Sequence, residues 1–162
     1  MTTTIISINN PTNIPIDSYS AISACQIEVA NGIKDIGFVS WQTGSIVDFT
    51  LNVAAAGSYV LSLGLASISP ASLNVFANGT QIATFAVSGN AWQVYKQVTQ
   101  VITLPSGIVD LQIKSVIPTM HNLQTISLTP QTVAAVTVTV ASLQAKIAQT
   151  VIDLQKVIAN LS

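Results

Sequence analysis

The sequence predicts an all-β fold, a β-sandwich of the jelly-roll kind, followed by a long C-terminal α-helix. Three observations carry this: short β-branched runs with alternating apolar and polar residues, turn residues between those runs, and a change of apolar spacing after Pro130.

The β-type runs are Ile46–Val53, Tyr59–Leu65, Leu73–Phe76, Thr80–Val87, Gln93–Leu104, Val109–Ser115 and Leu123–Leu128. Several place an apolar residue at every second position, as a strand with one buried face requires. Ala56-Gly57, Asn78-Gly79, Ser88-Gly89-Asn90 and Pro105-Ser106-Gly107 separate them. Asn78-Gly79 suits a two-residue hairpin, whose central residues need positive φ. Many short strands at turn-marked intervals give a sandwich over residues 1–129.

Residues 130–162 read differently. Val133, Val136, Val140, Leu143, Ile147, Thr150, Leu154, Val157 and Leu161 advance by alternate steps of three and four, the a and d positions of a heptad. A helix over residues 132–161 would run about 45 Å, longer than a domain of this size is wide, so it is expected to project from the sandwich. Its first eight residues are rich in β-branched types that also suit a strand, so the helix start is open by a turn or two. Val151, Ile152 and Ile158 widen the apolar stripe beyond the seam, and such a stripe needs cover from its own sandwich or from other copies. Length and heptad regularity favour homo-oligomerisation in a parallel bundle. β-branched residues at both a and d (Val140, Ile147, Val136, Val157) lean toward three strands, a trimer.

Composition narrows the function. Charged residues are 7% of the chain, against about 25% in an average soluble domain. Five basic residues scattered along a chain of net charge −1 cannot neutralise a row of phosphates, which argues against nucleic acid and anionic membranes as partners. No window of about 20 residues is uninterruptedly apolar, so a soluble chain without membrane insertion is expected. The opening Met1-Thr-Thr-Thr-Ile-Ile lacks the basic start and long apolar run of a secretory leader; the compartment stays open, an extracellular or cell-surface setting being the expectation. Cys25 is the single cysteine, so it reads as a small core hydrophobe or as a thiol able to pair between chains.

Catalytic chemistry is thinly supplied. His121 is the only histidine, the acids are Asp17, Glu28, Asp35, Asp48, Asp110 and Asp153, and no Ser-His-Asp or Cys-His constellation has a motif behind it. The glycines are dispersed in turns rather than clustered before a helix, so no phosphate cradle is present. A non-enzymatic role follows.

What remains is a set of aromatics and amides at strand ends. Ile14-Pro-Ile-Asp17-Ser-Tyr19, Ile36-Gly-Phe38-Val39, Gly44-Ser-Ile-Val-Asp48-Phe49, Ala56-Gly-Ser-Tyr59, Leu73-Asn-Val-Phe-Ala-Asn78-Gly79, Trp92-Gln-Val-Tyr95, Leu104-Pro-Ser-Gly107 and Asn122-Leu-Gln-Thr-Ile126 follow one another in order. Over residues 12–129 this series resembles carbohydrate-binding modules of family 6 and the related family 35. The resemblance implies a jelly roll whose sugar site lies among loops at one end, where two aromatics flank a pyranose ring and an Asn reads its hydroxyls. It places Phe38 where the family usually has Tyr, Trp92 at the stacking Trp and Asn122 at the amide. Trp41, in a loop one residue longer than the family's, reads as a substitute platform or a second stacking wall, and His121, in the loop before Asn122, as a helper. A pyranose has an apolar C–H face and a belt of hydroxyls, so a flat ring and a fixed donor-acceptor pair suit it.

The implied partner is a polysaccharide or glycan, bound without catalysis and multivalently through the helix. The alternative is a structural, self-assembling surface protein that uses the jelly roll as a building block without sugar binding. In the family, two Glu near the first strand and an acid after the last strand hold a structural calcium. Here Pro15, Asp17 and Thr129 stand in those places, so no cofactor is expected and the calcium is absent or weak.

Overall fold

The structure is a computed structural model that describes residues 3–37, 44–89, 91–116, 121–131 and 140–160. Phe38 and Trp41, together with the first eight residues of the expected helix, lie outside the described residues.

The chain divides into two units, Met1–Gln131 and Thr132–Ser162. The first is a two-sheet sandwich. One sheet runs in the order β1 (Thr4–Ile6), β6 (Ile46–Val53), β11 (Gly107–Ser115), β8 (Ala71–Ala77), β9 (Thr80–Val87), with β3 (Ala21–Ser23) also on β6. The other runs β10 (Lys96–Leu104), β7 (Gly57–Ser67), β12 (His121–Pro130), β5 (Ile33–Gly37), β4 (Gln26–Ala30), with β2 (Thr12–Ile14) also on β12.

Alternation decides which side chains meet between the sheets. In β6, Val47, Phe49, Leu51 and Val53 are buried and their neighbours are not, and Val109, Leu111 and Ile113 of β11 do the same; Leu61, Leu63 and Leu65 of β7 join them, although β7 is buried on both faces from Leu63 to Ser67. Together with Phe85, Ile102, Leu104, Leu123, Ile126 and Leu128 they form one continuous core. Tyr59 joins it with its ring buried and its hydroxyl donating to the Ala55 carbonyl at 2.6 Å, so its polar end is not stranded.

Two hairpins rest on Asn-Gly turns. Asn78 (φ 49°) and Gly79 (φ 79°) join β8 to β9, as the sequence predicts. Asn31 (φ 53°) and Gly32 (φ 78°) join β4 to β5 in the same way and set the register Ala30 to Ile33 and Glu28 to Asp35. Within the second unit α1 spans Val140–Ala159. Its Ile147, Val151, Ile152, Leu154, Val157 and Ile158 are exposed. No helix among the described residues is long and apolar enough to cross a membrane.

Candidate functional site

The second sheet builds the site on the face turned away from the core. Ile36 and Leu123 are core residues, so their neighbours Asp35, Gly37 and Asn122 project from the opposite face. Asn122 sits opposite Gly37, which in turn sits opposite Gln26, while Asp35 faces Glu28 one pair further along. Gly37 leaves room there for the Glu28 carboxylate, which folds across it; a Cβ at that position would make the carboxylate shift.

Asp35 is 1% exposed. Its Oδ2 accepts a hydrogen bond from Asn122 Nδ2 at 2.9 Å and a second from the Tyr95 hydroxyl. Its Oδ1 is buried with no hydrogen-bond partner among the described residues. Burial, then the hydrogen bond to Asp35 and the negative charges of Asp35 and Glu28, push the Tyr95 phenol well above its ordinary range; the Asn122 amide opposes them more weakly. Tyr95 is therefore a neutral donor at any physiological pH.

Trp92 stands on a tight turn beside this network. Val94 N–H donates to the Ala91 carbonyl at 3.5 Å, closing a turn whose third residue, Gln93, takes φ 61°. Gln93 Oε1 accepts from Asn31 Nδ2 at 2.7 Å, tying that turn to the tip of the β4–β5 hairpin. Tyr95 ties it again, through Asp35, to the middle of β5. A left-handed conformation at a non-glycine residue costs about 1–2 kcal/mol, and these two ties hold it. The indole is 39% exposed, so it plugs no part of the interior.

His121 is placed differently from the sequence expectation. It is the first residue of β12 rather than part of a loop, is fully enclosed, and by alternation shares the side of Leu123 rather than that of Asn122. Asn122 and Tyr95 are thus gathered on Asp35, Trp92 stands on the turn that leads into Tyr95, and His121 lies on the other face of its strand.

The sequence reading also passed over Asp35, Glu28 and the bonded role of Tyr95. The Asn31-Gly32 pair was the available signal, since a two-residue turn there puts the two acids opposite each other. Further along the same face, Ser62 donates to Gln97 Oε1 at 2.8 Å and Gln97 Nε2 to Thr125 Oγ1 at 2.9 Å, an exposed and neutral network. Cys25 is half-buried; its thiol donates to the Ile46 carbonyl at 3.1 Å, and burial pushes it up to about 11.

These observations leave a sandwich with an exposed indole next to a buried amide-carboxylate-phenol network at one sheet end. Residues 16–130 match the family description "carbohydrate binding module (family 6)". The chain belongs to carbohydrate-binding module family 6.

Solved family 6 modules share the fold at low identity. The C-terminal module of a marine laminarinase from Zobellia galactanivorans has 21% identity and a TM-score of 0.67, covering 74% of this chain and 99% of its own. A module of Cellvibrio mixtus lichenase 5A, solved in complex with cellotriose, has 22% identity and a TM-score of 0.65, covering 75% and 98%. A Clostridium stercorarium module solved in complex with cellobiose has 17% identity and a TM-score of 0.65, covering 80% and 98%. No curated protein sequence matches.

At the family's calcium position the side chains do not fit the ion. Pro15 brings no carboxylate, and the Asp17 carboxylate is bound by the Lys34 ammonium, which holds it below the usual range. Among the described residues no group of three or more His, Cys, Asp or Glu could hold a metal.

Proposed function

We propose that this family 6 module binds a polysaccharide without catalysis, through Trp92 and Asn122, and that α1 gathers copies of it into a homo-oligomer. The observation that carries the reading is the exposed Trp92 indole set beside an amide that Asp35 holds in one orientation. The indole supplies the flat apolar wall for a sugar ring, and Asn122 supplies a fixed polar edge for its hydroxyls. Phe38 and Trp41 complete the wall in this reading. The complexes of two family members with cellobiose and cellotriose support a glucan-type ligand. In this reading the family's structural calcium is absent or weak.

Covering about 50 to 100 Å² of ring at roughly 25 cal/mol/Å² contributes on the order of 1 to 2.5 kcal/mol, and the amide adds about 1. Single sites of that strength bind in the millimolar to high-micromolar range. Weak sites profit from assembly, because a second contact made within one particle is effectively intramolecular. The exposed apolar stripe of α1 supports a coil between copies, for which the heptad favours three strands.

The test is calorimetric titration of the intact chain with cello-oligosaccharides, alongside Trp92→Ala with its unfolding curve. Binding lost in the variant while its stability holds supports the reading. Ordered oligomers with no saccharide response would leave the building-block role instead.

A further inference from the structure

We propose that this site selects glycans carrying free ammonium groups, such as a polymer of 2-amino-2-deoxyglucose, over their neutral counterparts. The inference rests on the sugar-binding reading and names its ligand class.

The hydrogen-bond inventory comes first. Asp35 takes the phenolic proton of Tyr95 and one N–H of Asn122. The Tyr95 oxygen is itself approached by the Asn122 amide, and what Asn122 retains includes its carbonyl oxygen, a strong acceptor. Glu28, half-buried and folded over Gly37 next to Asn122, adds a carboxylate that can only accept when ionised. Asp35 itself keeps an enclosed oxygen without a partner among the described residues. The set offers acceptors and asks its ligand for donors.

Charge points the same way. Glu28 and Asp35 are a directly opposed cross-strand pair of like sign, an arrangement that is unfavourable unless something positive lies close. Of the sandwich lysines on this sheet, Lys34 is bound to Asp17, and Lys96 alternates to the face opposite Gln97. The groups that act on the Tyr95 phenol are Asp35, Asn122 and Glu28, none of them a cation.

Trp92, an exposed residue, stands on the turn that Gln93 and Asn31 tie to the same hairpin and that leads into Tyr95. Indole is the best aromatic partner for an ammonium group. An amino sugar would stack its ring on Trp92 and direct its ammonium toward Glu28, whereas an acetylated or hydroxyl-bearing sugar brings no charge to offset the acids.

The experiment titrates the intact chain with three oligosaccharides of equal length, at a pH where the amine is protonated: a glucosamine oligomer, its N-acetylated form and a cello-oligosaccharide. The amino form is expected to bind about tenfold tighter than either neutral form, a difference of about 1.4 kcal/mol. That advantage should shrink as salt rises from about 0.01 to 1 M, while neutral binding stays flat. Glu28→Gln should bring the amino-to-neutral ratio toward one. Neutral sugars binding as well as the amino form would overturn this inference and leave the sugar-binding reading standing. Silence from all three would overturn both. Tetralysine binding as tightly as the amino sugar would assign the site to basic peptides and likewise overturn it.

Discussion

The sandwich and the helix spend their apolar residues in opposite ways. In the sandwich, Phe49, Leu51, Leu61, Leu63 and Leu111 are enclosed between sheets, whereas Ile147, Leu154, Val157 and Ile158 of α1 are exposed. The first unit satisfies its own hydrophobic demand. The second displays an apolar stripe, and exposed stripes of this kind mark interaction surfaces. The sandwich encloses its own core and the helix presents an open apolar face, so the proposed sugar-binding and assembling roles fall on different units.

The comparison breaks first at the core. Phe49→Ala should cost the sandwich about 3–5 kcal/mol, read as a lowered denaturant midpoint at unchanged slope. Leu154→Ala, the same kind of truncation on α1, should leave the sandwich transition in place. Equal losses from both would mean the two units are not separate.

A smaller effect is expected from charging the seam. Ile147→Asp combined with Leu154→Asp should reduce the oligomer to single chains in sedimentation velocity and lower binding to a polymeric glycan by about a hundredfold. Affinity for a short oligosaccharide should not change. An unaltered mass would remove the assembling role from α1.

Next comes the rim of the platform. Trp92→Ala should weaken oligosaccharide binding by about 1–2.5 kcal/mol while moving stability by less than about 0.5. Tyr59→Phe tests the interior by contrast. It removes the hydroxyl that donates to the Ala55 carbonyl and should cost about 1 kcal/mol of stability, leaving binding untouched.

The smallest effect is electrostatic. Lys34 lowers the pKa of Asp17, so the unfolded chain binds this proton more readily than the folded one. The contribution is therefore complete above the unfolded value, about 3.9, and is lost as pH falls through the lower folded value. Both side chains are about half-exposed, so the contribution is small. Lys34→Met should lower stability slightly near neutrality and leave it unchanged in strong acid, so that the acid limb of the stability curve is flattened.

Much of this fold is legible because alternation is a strong signal when one face is buried. Ile46–Val53 and Thr80–Val87 are read from the sequence with the bounds they have as β6 and β9. The strand expected from Gln93 begins at Lys96, because the Trp92 turn uses the intervening residues. The strands before residue 38 are not legible in this way. Three of them have only three residues, too few to show a period, and they form because longer strands offer them an edge. The helix is legible from its heptad, and α1 lies within the expected range.

The site is half legible. Trp92 and Asn122 stand out by type and by family pattern. Asp35 does not, because an acid in mid-strand reads as a solvated residue; only the pairing of β5 with β12 and the approach of Tyr95 show that it is enclosed. His121 misleads for a related reason: beside Asn122 in sequence, it turns to the other face of the strand.

The most direct measurement of the central claim follows the Trp92 indole N–H resonance of the intact chain while an oligosaccharide is added. A saturable shift with a dissociation constant in the millimolar to high-micromolar range, shared by the Asn122 side-chain amide, is expected. Both resonances unmoved at saturating sugar, with binding detected elsewhere or not at all, would contradict it.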